Sequence, residues 1–277
     1  MKTWTVLGIL NWTSDFFKEK GLKSYRFDAE YLISYVLNFK RIDLYLNFDI
    51  PVSVAQRETI KFFIHRRVKR EPLQYIVSET EFYGLKFKVN PSVLIPRPET
   101  EHLVEIIVKD NKNVKILDIG SGSGAISIAL AKFIDSSFVT GVDISEKAIE
   151  IAKENGVSNN VENVEFIVSD LYSDVNEKFD IIVSNPPYIS HYDFEKLDDE
   201  IRLYEPRIAL EAAVDGIFFY KKILESAKKY LNPDGKIYFE IGYNQKNIIS
   251  KLAIDKGFEK VETFKDYNDF DRYMIIR

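Results

Sequence analysis

The stretch LDIGSGSGAISIALA, residues 117–131, predicts the fold of the C-terminal part of this chain. With VKI before it, LDIG is typical of a short buried strand, and AISIALAKF after the glycines is typical of a helix. Gly120, Gly122 and Gly124 stand between these two elements. Glycine permits a tight turn, and its bare backbone lets a ligand sit against the N-terminus of the helix. The stretch therefore predicts a ligand-binding loop between a strand and a helix.

Strands and helices take turns from residue 99 to the end of the sequence. The predicted strands are VKILDIG, FVTGVDI, VEFIVSD, FDIIVSN, GKIYFEIG, FEKVETFKD and RYMIIR. The predicted helices are AISIALAKF, SEKAIEIAKENG with Ser145 as its N-cap, FFYKKILESAKKYL and QKNIISKLAIDKG. This alternation predicts an α/β domain with a seven-stranded Rossmann-like, doubly wound sheet. We also expect a turn at NPDG, just before GKIYFEIG.

The N-terminal part has a different pattern, and residues 1–72 are predicted to be a small helical bundle. Its helices are WTVLGILNWTSDFFKEKG ending at Gly21, FDAEYLISYVLNF, and SVAQRETIKFFIHRRVKR with Ser53 as N-cap. Residues 73–98 contain the alternating segment FYGLKFKV and are predicted to be a linker with two short strands. We therefore predict three parts: a helical domain 1–72, a linker 73–98 and an α/β domain 99–277.

The composition of the 277 residues excludes several kinds of site. There are no cysteines, so disulfides and thiolate chemistry are excluded, and the three histidines lie too far apart in sequence to suggest a metal site. The net charge of −5 argues against a protein whose main task is to bind nucleic acid. No signal-peptide pattern and no membrane-length apolar run occur, so we expect a cytoplasmic protein that binds no membrane.

An acidic residue accompanies the glycine loop. Asp143 ends the next predicted strand, 23 residues after Gly120, where a carboxylate can accept hydrogen bonds from both ribose hydroxyls. This arrangement predicts a nucleoside-containing ligand. Gly120, Gly122 and Ala125 also satisfy the dinucleotide-binding pattern, so these residues alone leave both NAD and S-adenosylmethionine open.

The segment VSNPPYIS, residues 183–190, favours one of these ligands. Pro186 lacks an N–H group and ends the sheet ladder, and each proline holds the residue before it extended. The Asn185 side-chain oxygen and the Pro186 carbonyl then form two neighbouring acceptors, and Tyr188 adds a flat face. Such a set suits a planar –NH2 group, with one N–H bonded to each acceptor and the nitrogen held in line with a methyl group. The segment therefore predicts an amino-methylating enzyme.

The chain resembles the peptide chain release factor glutamine methyltransferase family. The segments that carry the resemblance are RFDAEYLISYVL, EPLQYIVSETEFYGLKFKV, LIPRPETEHLV, LDIGSGSGAISIALA, SNPPYIS, EPRIAL and FEIGYNQ. They follow the family order and cover most of the chain, including its helical part. NPPY alone is less specific, because DNA and RNA amino-methylating enzymes carry close variants of it.

The resemblance implies methyl transfer from S-adenosyl-L-methionine to the glutamine side chain in the Gly-Gly-Gln motif of release factors, with no metal. The helical domain would recognise the release factor, and the first and fourth strands of the sheet would be neighbours. The implied cofactor-binding residues are Gly120, Ser121, Gly122, Ser123, Gly124, Asp143, Leu171 and Asn185. The implied catalytic residues are Asn185, Pro186, Pro187 and Tyr188, which would hold the substrate amide.

Two positions depart from the family pattern. The family usually has a glycine pair where this chain has Ala212 and Ala213, and a glycine where Ser78 stands. Both differences lie outside the acceptor pair. The segment PRPETE is open to two interpretations, as a rim of the site or as the start of a helix with acids in its first turn.

Three other functions agree less well with the sequence. An amino-methyltransferase for adenine or guanine in DNA or RNA would need a basic cleft with aromatic residues, which the acidic composition does not favour. An NAD-dependent oxidoreductase would need an acid–base group, and the α/β part offers only the histidines His102 and His191. A sensor that only binds the cofactor would have no use for NPPY.

Overall fold

A computed structural model describes residues 4–277 of the chain. These residues form two compact units. The first comprises the described residues up to Ser78 together with Asp199–Tyr204, and the second comprises Glu79–Asp198 and Glu205–Arg277. In the described residues, no helix has the length and apolar character that a membrane crossing requires.

The elements follow the chain in an order close to the predicted one. The helices are α1 (Val6–Glu19), α2 (Tyr25–Leu37), α3 (Asp43–Leu46), α4 (Val54–Arg67), α5 (Leu73–Val77), α6 (Pro98–Asp110), α7 (Ala125–Phe133), α8 (Glu146–Ser158), α9 (His191–Phe194), α10 (Asp199–Tyr204), α11 (Phe218–Tyr230) and α12 (Lys246–Asp255), with a 3-10 turn at Arg207–Ala209. The strands are β1 (Glu79–Phe82), β2 (Leu85–Lys88), β3 (Lys115–Ile119), β4 (Phe138–Asp143), β5 (Val164–Val168), β6 (Phe179–Ser184), β7 (Leu231–Glu240), β8 (Val261–Lys265) and β9 (Asp271–Ile276).

The first unit contains the three predicted long helices α1, α2 and α4. Ser53 caps α4 in a capping box, in which its side chain accepts from the Gln56 N–H and the Gln56 side chain accepts from the Ser53 N–H. Helix α1 ends just before Gly21, whose φ of 71° is in the left-handed region. The prediction of these helices and of their boundaries at Ser53 and Gly21 is confirmed. The short helices α3, α5 and α10 were not predicted.

The second unit is built on a seven-stranded sheet of order β5-β4-β3-β6-β7-β9-β8. Strands β3 to β7 run parallel, β9 pairs antiparallel with β7, and β8 at the edge pairs antiparallel with β9. Strands β3 and β6, the first and fourth of this sheet, are hydrogen-bonded neighbours. The prediction of a doubly wound Rossmann-like fold is confirmed.

Two apolar cores cover the two faces of the sheet. One includes residues of α6, α7 and α8, and the other includes residues of α11 and α12. Strands β1 and β2 form an antiparallel hairpin ahead of the sheet, with Glu79 opposite Lys88. Because helices pack on both faces, the carboxyl ends of the parallel strands are the open edge where ligands bind in such folds.

The predicted turn at NPDG differs from the structure. The turn residues lie inside β7, because Leu231 before them already pairs with Phe179 of β6, and the ladder resumes with Lys236 opposite Ile181. Asp234 has a φ of 62° at this interruption. The NPDG residues therefore form an irregularity within one strand, where a turn ahead of the strand was expected.

Candidate functional site

A pocket lies at the carboxyl ends of β3, β4 and β6. Of the residues predicted for the site, those that line it are Gly120, Gly122, Asp143, Leu171, Asn185, Pro186 and Pro187. Ser121, Ser123, Gly124 and Tyr188 are not among its lining residues. The lining residues that were not predicted from the sequence include Ser92, Val93 and Leu94 before α6, Ile208 and Ala209 of the 3-10 turn, and Phe219 of α11. The pocket is where the strand order reverses, between β3 and β6.

The glycine loop is held in place by hydrogen bonds from its backbone. The Gly120 and Ser121 N–H groups donate to the Val142 carbonyl of β4 at 2.8 and 3.0 Å. The Gly122 N–H donates to Oδ2 of Asp143 at 2.9 Å, and the Ser145 N–H donates to Oδ1 of the same carboxylate, also at 2.9 Å. Asp143 thereby joins the loop to the start of α8, and burial raises its pKa. Each carboxylate oxygen keeps capacity for a further hydrogen bond from a ligand.

The glycines of the loop serve different purposes. A Cβ atom at Gly120 or Gly122 would meet no atom within 4 Å, so these two positions border open space. A Cβ atom at Gly124 would come within 2.9 Å of the Phe166 ring and 3.2 Å of Ala152. Gly124 is therefore required for close packing of α7 beneath the loop. All three glycines have positive φ angles, between 54° and 80°.

Asp118 lies at the end of β3, beneath the glycine loop, and is fully buried. Its Oδ2 accepts a hydrogen bond of 2.5 Å from the Ser127 hydroxyl of α7, and its Oδ1 has no partner. Burial raises the pKa of this carboxyl to about 7, against the lowering effect of Ser127. Asp118 thus anchors the first turn of α7.

The NPPY segment begins where β6 ends. The Ser184 hydroxyl donates to the Ile119 carbonyl of β3 at 2.6 Å, which joins the ends of the two central strands. Asn185 follows, and its Nδ2 donates to Oγ1 of Thr100 at 3.2 Å. Through Thr100 this amide is linked to Glu240, whose pKa it slightly lowers. Because the nitrogen donates to Thr100, the Oδ1 atom of Asn185, a lining residue of the pocket, remains available as an acceptor.

Thr100 and Glu240 form a buried pair behind Asn185. Oγ1 of Thr100 donates to Oε2 of Glu240 at 2.6 Å, and both side chains are almost completely buried. Burial raises the pKa of Glu240 to about 7, opposed mainly by the hydrogen bond from Thr100 and the charge of Arg272. Neither residue was predicted from the sequence, although Thr100 lies in PRPETE and Glu240 in FEIGYNQ. Hydrogen bonds between segments so far apart leave no periodic signal in a sequence.

Tyr188 lies just beyond the two prolines, and its ring packs partly buried against the core beside α11 and α12. Burial raises the pKa of its hydroxyl to about 12, with a smaller effect of the Glu240 charge, so the hydroxyl stays protonated at neutral pH. The Tyr188 carbonyl accepts a hydrogen bond of 3.1 Å from Nε2 of Gln245. No role for Gln245 was predicted from the sequence.

PRPETE contains the start of a helix. Helix α6 begins at Pro98, and Glu99 and Glu101 lie in its first turn. Arg97 just before the helix donates to Oε1 of Glu205 at 2.7 Å. Glu205 is buried, and burial raises its pKa. This ion pair fixes the loop that carries Pro206, a lining residue of the pocket.

The two departures from the family pattern coincide with unusual backbone conformations. Ser78, the C-cap of α5, has a φ of 61°, and Ala213 has a φ of 52°. L-residues pay a conformational penalty in this left-handed region that glycine avoids, which is the physical reason for glycine at such positions. Both residues keep the glycine-like conformation although they carry a Cβ atom.

The histidines do not contribute to the pocket lining. His191 is exposed and bonds to Glu211 at 2.8 Å, and His102 stacks on Tyr267. Within residues 4–277 there is no group of three or more acidic or histidine side chains that could hold a metal ion.

Comparison with known families agrees with this geometry. A family profile described as a methyltransferase domain matches residues 110–271, and a profile described as the PrmC N-terminal domain matches residues 8–77.

The similar curated proteins share one printed name, release factor glutamine methyltransferase. The one from Fusobacterium nucleatum is 44% identical over 98% of this chain and 78% of its own length. Those from Thermodesulfovibrio yellowstonii and Geobacter sulfurreducens are 43% and 41% identical, over 90% and 97% of this chain and 91% and 95% of their own lengths.

Solved structures with a similar fold are more distant in sequence. A methyltransferase from Pyrococcus furiosus is 22% identical, with a TM-score of 0.53 over 81% of this chain and 98% of its own. The 16S rRNA N2 G1207 methyltransferase of Thermus thermophilus, solved with AdoMet and guanosine, is 16% identical, with a TM-score of 0.52 over 72% of this chain and 49% of its own. At this level of identity, the likeness concerns the fold.

Proposed function

Because the chain belongs to the release factor glutamine methyltransferase family, we propose that it methylates the side-chain amide nitrogen of the glutamine in the Gly-Gly-Gln motif of peptide chain release factors. The methyl donor is S-adenosyl-L-methionine. When bound, this cofactor supplies a methyl group on a positively charged sulfur, which is reactive towards a weak nucleophile such as an amide nitrogen.

The residues of the pocket fit this cofactor. Gly120 and Gly122 border open space that a side chain would fill, and the buried Ser121 hydroxyl has no partner within the protein. The Asp143 carboxylate faces the pocket with spare acceptor capacity, as ribose hydroxyls require. We assign the loop 120–124 to the methionine portion, Asp143 to the ribose and Leu171 to the adenine.

One observation supports the substrate assignment most directly, and it is the fixed orientation of Asn185. Its nitrogen is held by Thr100, which itself donates to Glu240, so its Oδ1 is left to accept from a substrate N–H. The Pro186 carbonyl is the second acceptor, and Pro187 and Tyr188 complete the amide pocket. Two hydrogen bonds to one –NH2 group hold the nitrogen in a fixed direction and favour its pyramidal form as the new bond develops.

We assign recognition of the release factor to the helical domain, residues 1–72, and methyl transfer to residues 99–277, with residues 73–98 as the linker. The match of residues 8–77 to an N-terminal domain found in such enzymes supports this division. Since release factors act on ribosomes, we also propose that the protein works in the cytoplasm, with no requirement for nucleic acid, metal or membrane.

The test uses purified protein, S-adenosylmethionine with a labelled methyl group, and either a release factor or duplex DNA. We expect label on the glutamine of the Gly-Gly-Gln motif, located by mass spectrometry of the digested release factor. Replacing Asn185 by Ala removes an acceptor that is most effective in the transition state and is expected to lower kcat by about 100-fold or more. Label in the DNA instead would support the alternative, an adenine or guanine amino-methyltransferase.

A further inference from the structure

Gln245 is a buried side chain that joins three backbone segments around the NPPY motif. Its Oε1 accepts from the Gly242 N–H at 2.9 Å, and its Nε2 donates to the carbonyls of Tyr188 and Gly216, each at 3.1 Å. The side chain is 7% exposed. Both hydrogens of the amide are therefore used, each on a carbonyl from a different loop.

Gly216 and Gly242 lack a side chain and so provide the space that the Gln245 amide occupies. A Cβ atom at Gly216 would lie 2.6 Å from the Tyr188 carbonyl oxygen and 2.8 Å from Nε2 of Gln245. A Cβ atom at Gly242 would lie 2.8 Å from Oε1 of Gln245. Gly216 also has a φ of 72°, which favours glycine. The three loops are thus shaped around the Gln245 amide, and no larger side chain fits at either glycine without a shift.

The backbone that follows Tyr188 is held from the other side by the loop before α11. The Ile189 N–H donates to the Leu210 carbonyl at 3.0 Å, and the Ala212 N–H donates to the Ile189 carbonyl at 2.8 Å. Gln245 supplies the bond to the Tyr188 carbonyl itself. Without it, the peptide plane between Tyr188 and Ile189 is held on one side only, by the bond from the Ile189 N–H to the Leu210 carbonyl.

We propose that Gln245 is a positioning residue for amide methylation, which acts by fixing the backbone of Tyr188. The ring of Tyr188 packs against the core directly after the pocket-lining Pro187, and the function proposed above assigns it to the substrate –NH2 group. The proposal rests on the function proposed above. The acceptors Asn185 and Pro186 fix the direction of the nitrogen, and the Tyr188 ring fixes the plane of the amide. A misplacement of about 1 Å in such a group costs on the order of 100-fold in rate.

The test compares Gln245→Met with a matched variant remote from the pocket. Met keeps the length of the side chain and removes the donor. Asn163→Leu is the control, because Nδ2 of Asn163 likewise donates to two carbonyls, those of Ala131 and Ser137, at 2.8 and 3.0 Å. Asn163 precedes β5, at the amino edge of the sheet, so its loss affects packing and leaves the pocket alone.

For Gln245→Met we expect kcat for release-factor methylation to fall by about 10- to 100-fold, while the cofactor dissociation constant changes by less than about twofold. Asn163→Leu should leave kcat within about twofold of the wild-type value once the folded fraction is taken into account. If the role of Gln245 is purely structural, the kcat of Gln245→Met should stay as close to the wild-type value as that of the control Asn163→Leu. If Gln245→Met folds and keeps the wild-type kcat, the proposal is wrong.

A double-mutant cycle with Tyr188→Ala tests whether Gln245 acts through the tyrosine. If it does, Gln245→Met should lower kcat little further in the Tyr188→Ala background. Fully additive losses would contradict the proposal.

Hydrogen exchange separates a failure of the proposal from a failure of the proposed function. The Ile189 and Ala212 N–H groups should exchange faster in Gln245→Met than in wild type and in the Asn163→Leu control, whatever the substrate is. Absence of methyl transfer by the wild type would reject the release-factor assignment. Unchanged exchange at these two amides would reject the role of Gln245.

Discussion

The orientation of a single amide group decides what the NPPY segment can do. Asn185 presents an acceptor only if its nitrogen points away from the pocket, and that direction is set by its bond to Thr100, which in turn donates to Glu240. Glu240 in turn is fixed by the 2.6 Å bond from Thr100. A carboxylate in this place has a cost, because burial disfavours its charged form. The raised pKa of Glu240 is a measure of that cost.

The stability of the protein is therefore expected to fall with rising pH in a defined window. Glu240 has a pKa of about 7 in the folded protein, against 4.5 for an ordinary glutamate. Between these values the unfolded chain releases the proton and the folded protein keeps it, so the free energy of unfolding decreases as pH rises through the window. Below the window both states are protonated and the contribution is fully present.

Glu240→Gln tests this expectation, because glutamine keeps an acceptor for Thr100 and cannot ionise. Urea unfolding at about pH 5 and about pH 8 should show a smaller loss of stability in the variant than in wild type. Part of the loss should remain, since Asp118 also has a pKa raised to about 7. Equal losses in the two proteins would show that Glu240 titrates normally.

At the scale of elements, the features that were predicted correctly are those that a local sequence pattern encodes. Strand and helix alternation, the glycine loop and the caps at Ser53 and Ser145 were all found as predicted. The supports of the site were missed, because Thr100, Glu240 and Gln245 act through partners far away in the chain. The NPDG irregularity was misassigned, because a strand can pair on both sides of a turn-like sequence.

The close packing of β4 against its neighbours leads to a prediction about the stability of a Gly141 variant. A Cβ atom at Gly141 would come within 2.7 Å of the Phe166 ring and 2.8 Å of the Ser127 hydroxyl, which holds Asp118. Gly141→Ala should therefore lower the free energy of unfolding by about 1–3 kcal/mol, as overpacking does, and should also weaken cofactor binding.

Gly156→Ala is the matched control for this variant. Gly156 lies in α8, and its Cβ would meet the same Phe166 ring at an ordinary 3.7 Å. Because alanine is the better helix former, this variant should be more stable by about 0.5–1 kcal/mol. Chemical denaturation of both variants measures the difference, and a loss in Gly156→Ala equal to that in Gly141→Ala would show that clash with Phe166 is not the cause.

At the scale of the whole molecule, the chain returns to the helical unit more than 100 residues after leaving it. Arg67 of α4 is 5% exposed and donates to Asp28 of α2 and to Glu200 of α10, each at 2.7 Å. The Tyr204 hydroxyl of α10 donates to the Lys69 carbonyl at 2.7 Å. No local pattern near residue 200 predicts this association, since it depends on pairing between distant charges. The predicted boundaries of the three parts, at residues 72 and 98, stay a prediction.

The two partners of Arg67 are expected to differ in their importance. Asp28 is almost completely buried, and burial raises its pKa even beside Arg67, whereas the Glu200 side chain is 37% exposed. Arg67→Leu leaves Asp28 buried without its cation and should cost about 3–5 kcal/mol of unfolding free energy. Glu200→Gln removes only the solvent-screened half of the network and should cost less than about 1 kcal/mol. Urea titrations of the two variants against wild type give both values. Equal losses would mean that the association of α10, and not the buried Arg67–Asp28 pair, holds the helical unit together.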